Sequence, residues 1–101
     1  NAFKYRELLR IATYNIQGNK FKTKIREIEA WMKEQNIDIC AIQETQIDCN
    51  EKIHNNEYDR YMSGTPGKIF SGVGFIIKTE IMGSIIGIEP INDRIIKLIL
   101  N

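Results

Sequence analysis

Apolar residues fall along this chain in short β-branched runs parted by polar stretches, with one interval of helical spacing. The run Arg10-Ile11-Ala12-Thr13-Tyr14-Asn15-Ile16 carries β-branched and aromatic side chains and closes on the turn signal Gln17-Gly18-Asn19. It predicts a first strand ending at Asn15 or Ile16. Beyond Thr23, the residues Ile25, Ile28 and Met32 recur at spacings of three and four, with Trp31 slightly off the stripe. This predicts an amphipathic helix that ends near Gln35-Asn36, with Thr23 as the N-cap accepting from first-turn amides. The nearly continuous apolar run Ile37-Asp38-Ile39-Cys40-Ala41-Ile42 then has the pattern of a strand buried on both faces of a parallel sheet. Strand, helix and strand together read as a right-handed crossover.

Residues 45–60 are polar, with Asp48, Asn50, Glu51, Asn55, Asn56 and Asp59, and read as a connecting loop with at most a short helical turn. Tyr61-Met62-Ser63-Gly64 leads into the turn-rich Thr65-Pro66-Gly67-Lys68, and Val73-Gly74-Phe75-Ile76-Ile77-Lys78 resumes as strand. A hairpin with a mobile tip is the simplest account. Ile85-Ile86-Gly87-Ile88-Glu89-Pro90 and residues 94–100 form a second strand pair around Asn92-Asp93, so the C-terminal half reads as a meander.

Composition agrees with a sheet-rich soluble domain. The chain has 101 residues, 43% of them hydrophobic and 27% charged, which suits one folding unit or less and excludes a disordered tail. Twenty isoleucines stand against four leucines, a skew toward side chains that fit a pleated surface. No apolar run approaches the roughly 18 residues of a membrane span, and no leader pattern opens the chain. The expected setting is soluble and intracellular. Cys40 and Cys49 are too few for a secreted disulfide framework, and Cys40 reads as a reduced core thiol. With His54 they are also too few for a zinc site. The net charge of +1 hides an asymmetry: residues 1–26 hold seven Lys/Arg against one acid, and residues 27–101 hold seven against twelve. Such a basic segment suits phosphate contact or simply a solvated face.

Candidate chemistry lies where the two buried strands end in polar groups, at Thr13-Tyr14-Asn15 and Gln43-Glu44-Thr45. In a parallel pair joined by a helix these ends share the carboxyl edge of the sheet, where open α/β sheets bind ligands, so Asn15 and Glu44 should converge. A carboxylate closing an apolar run must be solvated, paired or bound to a cation. Magnesium fits, because it takes one or two protein carboxylates and completes its octahedron with water and phosphate oxygens. Glu44 would supply the charge, and Asn15 would orient Glu44 or the phosphate through its amide. The structural alternative is that Glu44 caps a loop and Asn15 makes a turn hydrogen bond. His54 reads as a surface residue, and Arg94 as solvent-facing with phosphate contact as the other option.

Ile11-Ala12-Thr13-Tyr14-Asn15-Ile16-Gln17-Gly18 resembles the opening motif of the endonuclease/exonuclease/phosphatase superfamily, and Asp38-Ile39-Cys40-Ala41-Ile42-Gln43-Glu44-Thr45 resembles its second motif. The form Ile42-Gln43-Glu44-Thr45 and the strand Gly72-Val73-Gly74-Phe75-Ile76-Ile77 are similar to non-LTR retrotransposon endonucleases. The resemblance runs from about Arg10 to Leu100. It implies an α/β fold, the N-terminal half of a four-layer DNase I-like sandwich, with a mixed sheet, one crossover helix and C-terminal β-hairpins. It further implies catalytic roles for Asn15 and Glu44, Glu44 as ligand to Mg2+ or Mn2+, and DNA as the partner through its phosphate backbone.

The family's Tyr, Asp-x-Asn and Ser-Asp-His motifs have no counterpart here, so residues 1–101 are expected to be a partial domain, inactive alone, with one apolar sheet face exposed. A monomer is expected, or association through that face if isolated. No membrane partner is expected, and the nucleus is the expected location for a eukaryotic retroelement. Alternatives are a phosphatase or sphingomyelinase-type phosphoesterase, and a non-catalytic remnant that serves as an interaction module. Lys20, Lys22, Lys24 and Arg26 favour a polyanionic backbone, because a row of phosphate contacts gains from counterion release.

Overall fold

The computed structural model describes residues 8–17 and 21–101, the side chains of Phe21 and Lys22 excepted. Among the described residues seven strands and one long helix follow in the order β1 (Ile11–Asn15), α1 (Phe21–Gln35), β2 (Ile39–Gln43), β3 (Glu51–His54), β4 (Tyr58–Ser63), β5 (Val73–Lys78), β6 (Ile85–Pro90) and β7 (Ile96–Leu100). The first five strands form one mixed sheet in the order β1-β2-β5-β4-β3. Only β1 and β2 run parallel, in the register Ile11↔Ile39 to Asn15↔Gln43, and the other neighbours are antiparallel. The crossover helix and both C-terminal hairpins are as the sequence pattern predicts.

Helix α1 begins at Phe21, so Thr23 lies inside it and is not its N-cap. The predicted turn residues Gly18 and Asn19, with Lys20, lie outside the described residues. The helix ends as the sequence suggests. Asn36 takes a left-handed φ of 56°, its amide bonds to the Lys33 carbonyl at 3.3 Å, and the Ile37 amide bonds to the Met32 carbonyl at 2.8 Å. This double closure satisfies carbonyls that the last turn would otherwise leave open, and asparagine tolerates the left-handed backbone that it requires.

Two apolar layers follow from the period-two alternation of the strands. On one face Ile28 and Met32 of α1 bury against Cys40, Ile42, Met62 and Ile76, with Ala12, Tyr14 and Ile25 at the margin. On the other face Ile39, Ile77 and Ile81 are buried beneath Phe75, Ile88, Leu98 and Leu100. Ile81 belongs to a 3-10 segment, Thr79–Ser84, that turns the chain across the sheet. The β6–β7 hairpin therefore covers part of the face expected to stand bare. Large apolar side chains remain exposed on Ile11, Ile86, Ile95 and Ile99. No helix of the described residues is long and apolar enough to cross a membrane.

One expectation is overturned: residues 45–60 are not all loop, because Glu51–His54 form β3 and pair antiparallel with β4, which starts at Tyr58, in the register Glu51↔Met62 to His54↔Asp59. His54 thus sits on a strand. Its side chain is solvent-exposed, as predicted, and Nδ1 lies 2.8 Å from the buried Asp59 carboxylate, which also accepts from the Thr79 hydroxyl at 2.7 Å.

The two thiols differ sharply. Both are free, Cys40 is fully buried and Cys49 is exposed. Burial pushes the Cys40 thiol up to about 11, so at neutral pH almost none of the nucleophilic thiolate is present. A disulfide-exchange reagent is expected to titrate one thiol in the native protein and two in denaturant. Equal rates for both in the native state would contradict the burial of Cys40.

A candidate active-site cleft at the carboxyl edge of the sheet

Strands β1 and β2 both end at one edge of the sheet, and in each the chain leaves through left-handed backbone. Gln17 has φ 61°, Glu44 has φ 56° and Gln46 has φ 60°. Residues other than glycine rarely adopt this region, and when they do the surroundings must hold them there. At β1 the Asn15 Oδ1 accepts the Gln17 amide at 2.8 Å, and the Ile16 amide reaches across to the Gln43 carbonyl at 3.0 Å. At β2 the buried Thr45 donates its amide to the Gly72 carbonyl at 3.1 Å, and the Gln46 amide donates to the Ser71 carbonyl at 2.8 Å. The turn at Glu44 is thereby anchored on the chain that enters β5. Strand alternation stops at Gln43, and the Glu44 carboxylate comes out at the sheet edge.

The adjacency expected from the crossover is present, because Asn15 pairs in register with Gln43, the neighbour of Glu44. No hydrogen bond joins Asn15 to Glu44 among the described residues. The side-chain link between the two strand ends is instead Thr13 with Gln43, whose hydroxyl and amide groups exchange hydrogen bonds at 2.8 and 3.1 Å. Both belong to the quoted motifs, yet only the register discloses that they meet.

Glu44 is half-buried on the wall of a cleft of about 310 Å³, lined also by Gln43, Phe70, Ser71, Gly72, Val73, Asp93 and Arg94. Asp93 and Ser71 carry no sequence signal of function, and the tertiary fold gives them one. The Asp93 carboxylate accepts from the Ser71 hydroxyl in a very short hydrogen bond and from the Thr65 hydroxyl at 3.1 Å. The Asp93 amide bonds back to Thr65 Oγ1 at 3.2 Å, and the Gly72 amide bonds to the Asp93 carbonyl at 2.8 Å. The Ser71 bond, against some burial and helped by Thr65 and Arg94, holds the Asp93 carboxyl below the usual aspartate range. The aspartate thus ties the β6–β7 turn to the β4–β5 connection, and through Gly72 to Thr45. Asn92 shapes the same turn by accepting the Arg94 and Ile95 amides at 2.8 and 2.9 Å. The cation facing the cleft is Arg94, exposed as predicted. Lys20 and the side chain of Lys22 lie outside the described residues, and Arg26 lines a separate groove with Glu29 and the β3–β4 hairpin.

Gly72 leaves this arrangement no room for a side chain. Its φ is +108°, and a Cβ there would run into Thr45 Oγ1 and meet the Ile47 carbonyl at 3.0 Å. Gly72→Ala is therefore expected to cost about 2–3 kcal/mol from backbone strain and overpacking. A urea titration reads this as a lower midpoint with an unchanged slope, whereas a change below about 0.5 kcal/mol would show that the cleft wall is looser than described.

Among the described residues no group of three or more His, Cys, Asp or Glu stands close enough to hold a metal ion. One free carboxylate on an open cleft does not suit zinc, which wants three or four protein ligands, but it does suit a hard cation that keeps its water and substrate ligands. The Glu44 side chain has no hydrogen-bond or ion-pair partner among the described residues, so its charge is free for such a cation.

No curated protein matches the chain. The family model for the endonuclease/exonuclease/phosphatase family, by contrast, matches residues 12–100, a span that takes in both strand ends, the hairpins and every residue of the cleft. The chain therefore belongs to the endonuclease/exonuclease/phosphatase family, whose members hydrolyse phosphoester and phosphodiester bonds.

Proposed function

We propose that this cleft binds a phosphodiester of DNA, and that the protein carrying it is a metal-dependent endonuclease of retrotransposon type. The observation that carries the reading is the pairing of Glu44 and Arg94 on the walls of one small cleft at the sheet edge. A phosphodiester needs positive charge on its oxygens. Arg94 offers one source directly, through the planar fork of donors that suits phosphate. Glu44 offers a second by holding a divalent cation. When bound there, magnesium or manganese would polarise a phosphoryl oxygen and offset the charge that develops in hydrolysis.

The other residues work by position. The Thr13–Gln43 bridge and the Ile16 amide keep the two strand ends in register. Asn15 stands beside them with its amide nitrogen available to a phosphate oxygen, while its carbonyl oxygen closes the Gln17 turn. Asp93 is a poor proton acceptor, since both its oxygens are occupied and its carboxyl is held acidic. Hydrolysis also needs a base that activates water and a donor for the leaving oxygen. Arg94 is a candidate for the donor alone, and with Glu44 assigned to the ion and Asp93 engaged, the cleft lining leaves none for the base. These 101 residues are accordingly proposed to bind and orient without turnover on their own.

DNA is favoured over a small phosphate ester by the basic N-terminal quarter of the sequence. The retrotransposon reading rests on Ile42-Gln43-Glu44-Thr45 and on the β5 strand with its preceding Gly72. The test is duplex binding by fluorescence anisotropy across a salt series. Affinity should fall by about tenfold or more between 50 and 200 mM salt if several phosphates are contacted, and Arg94→Ala should flatten the slope. Binding that ignores salt would count against a nucleic-acid backbone and toward a small phosphate ester.

A further inference from the structure

We propose that Phe70, supported by Ile69, is a base-contacting residue that stacks on a nucleobase flanking the phosphodiester in the Glu44 cleft. The inference rests on the DNA reading above and deepens it. Phe70 is 79% exposed and Ile69 51% exposed, consecutive on the β4–β5 connection, and Phe70 lines the same cleft as Glu44 and Arg94. Single exposed apolar residues are ordinary on a surface. Their placement here is not, because the segment on either side is tied down.

On the N-terminal side the Gly64 amide donates to Asn50 Oδ1 at 3.2 Å, the Gly67 amide donates to Asp48 Oδ2 at 3.3 Å, and the Lys68 amide closes on the Thr65 carbonyl at 2.9 Å. On the C-terminal side Ser71 and Gly72 are held by Asp93, Gln46 and Thr45. The tip expected from its turn residues to be mobile is therefore braced at both ends, with its two apolar side chains directed at solvent. A braced aromatic at the rim of a phosphate cleft has the makings of a stacking platform: little side-chain entropy is lost on contact, and every base offers a π-face. Lys68 and Arg94 flank it with positive charge for the adjoining backbone. Two apolar side chains are too few for lasting insertion into a lipid surface, which needs a larger buried area.

The test compares a single-stranded oligodeoxynucleotide with an abasic one of equal length, both labelled for anisotropy, using the 101-residue chain. The wild type should bind the base-bearing strand about tenfold more tightly, Phe70→Ala should abolish that preference while leaving abasic binding within about twofold, and Phe70→Trp should retain it. Because Phe70 packs against no core, the melting temperature of Phe70→Ala should match the wild type, which separates a lost contact from a lost fold. Arg94→Ala should weaken both strands equally. If Phe70→Ala weakens both strands alike, or neither, while Arg94→Ala still lowers affinity, this inference fails and the DNA reading stands. A wild type that binds neither strand overturns both. Phe70-dependent binding to sphingomyelin vesicles, with no preference between the strands, would assign the tip to a lipid surface and overturn the inference.

Discussion

Glu44→Ala, made in a protein that carries these residues within a complete family domain, should lower magnesium-dependent nicking of supercoiled plasmid by about a thousandfold. The size follows from the chemistry. A Lewis-acid contribution of several kcal/mol is lost when its protein carboxylate is removed, and each 1.4 kcal/mol is a factor of about ten in rate. Stability should hardly move, because Glu44 has no ion-pair or hydrogen-bond partner among the described residues and its left-handed turn is held by the flanking amides. Glu44→Gln should be nearly as inactive while preserving shape. DNA binding without the metal should survive or tighten slightly, since a negative charge has left the cleft. Nicking within tenfold of wild type, with the metal requirement unchanged, would remove Glu44 from the ion's coordination.

Asp38→Ala should be the most damaging substitution at the opposite end of β2. Asp38 is fully buried, its Oδ2 accepts the Arg10 amide at 2.9 Å, and its Oδ1 lies 3.9 Å from the Lys78 ammonium. The Asp38 carbonyl also accepts the Lys78 amide at 2.9 Å, so residue 38 joins β1, β2 and β5 at their shared end. Removing the carboxylate takes the acceptor from the part-buried Arg10 amide and leaves Lys78, whose side chain is 17% exposed, with Glu80 at 3.8 Å as its remaining carboxylate. The expected loss is about 3 kcal/mol, from a charge-assisted hydrogen bond removed at a fully buried position and a weakened ion pair. Much of the stability of a small domain would go with it. Urea unfolding measures this directly. Asp38→Asn should recover part of the loss by keeping an oxygen for the Arg10 amide, and a loss below 1 kcal/mol in Asp38→Ala would mean that water reaches the site.

How much of this was legible in the sequence differs by element. β1, α1, β2 and β5 were visible because buried faces impose a period, and their apolar residues had to repeat at two or near 3.6. The β6–β7 hairpin was visible from its paired isoleucine-rich runs and the Asn92-Asp93 turn. β3 and the start of β4 carry no such mark. Glu51-Lys52-Ile53-His54 is one of the two outer strands of the sheet, where one edge meets water and polar side chains are tolerated, so no apolar alternation marks it. Thr23 lies two residues inside α1 and does not cap it, because helix starts depend on a few residues and are easily shifted by two.

The site divides in the same manner. Glu44 and Asn15 could be singled out from sequence because a polar group closing a buried strand is a local signature, and the strand order needed to bring those ends together follows from a crossover helix. The tertiary structure alone decided that Arg94, Asp93, Ser71 and Phe70 belong to the same cleft. Asp93 meets Ser71 and Thr65 across 22 and 28 residues of chain, and no local pattern encodes a contact at that separation. Propensity and periodicity act over a few residues, whereas a hydrogen bond between loops exists only after the sheet has set where each loop begins. The sequence by itself therefore determined the layers of this protein and one half of its charge pair, and the packing of three loops on the sheet edge decided what stands opposite Glu44.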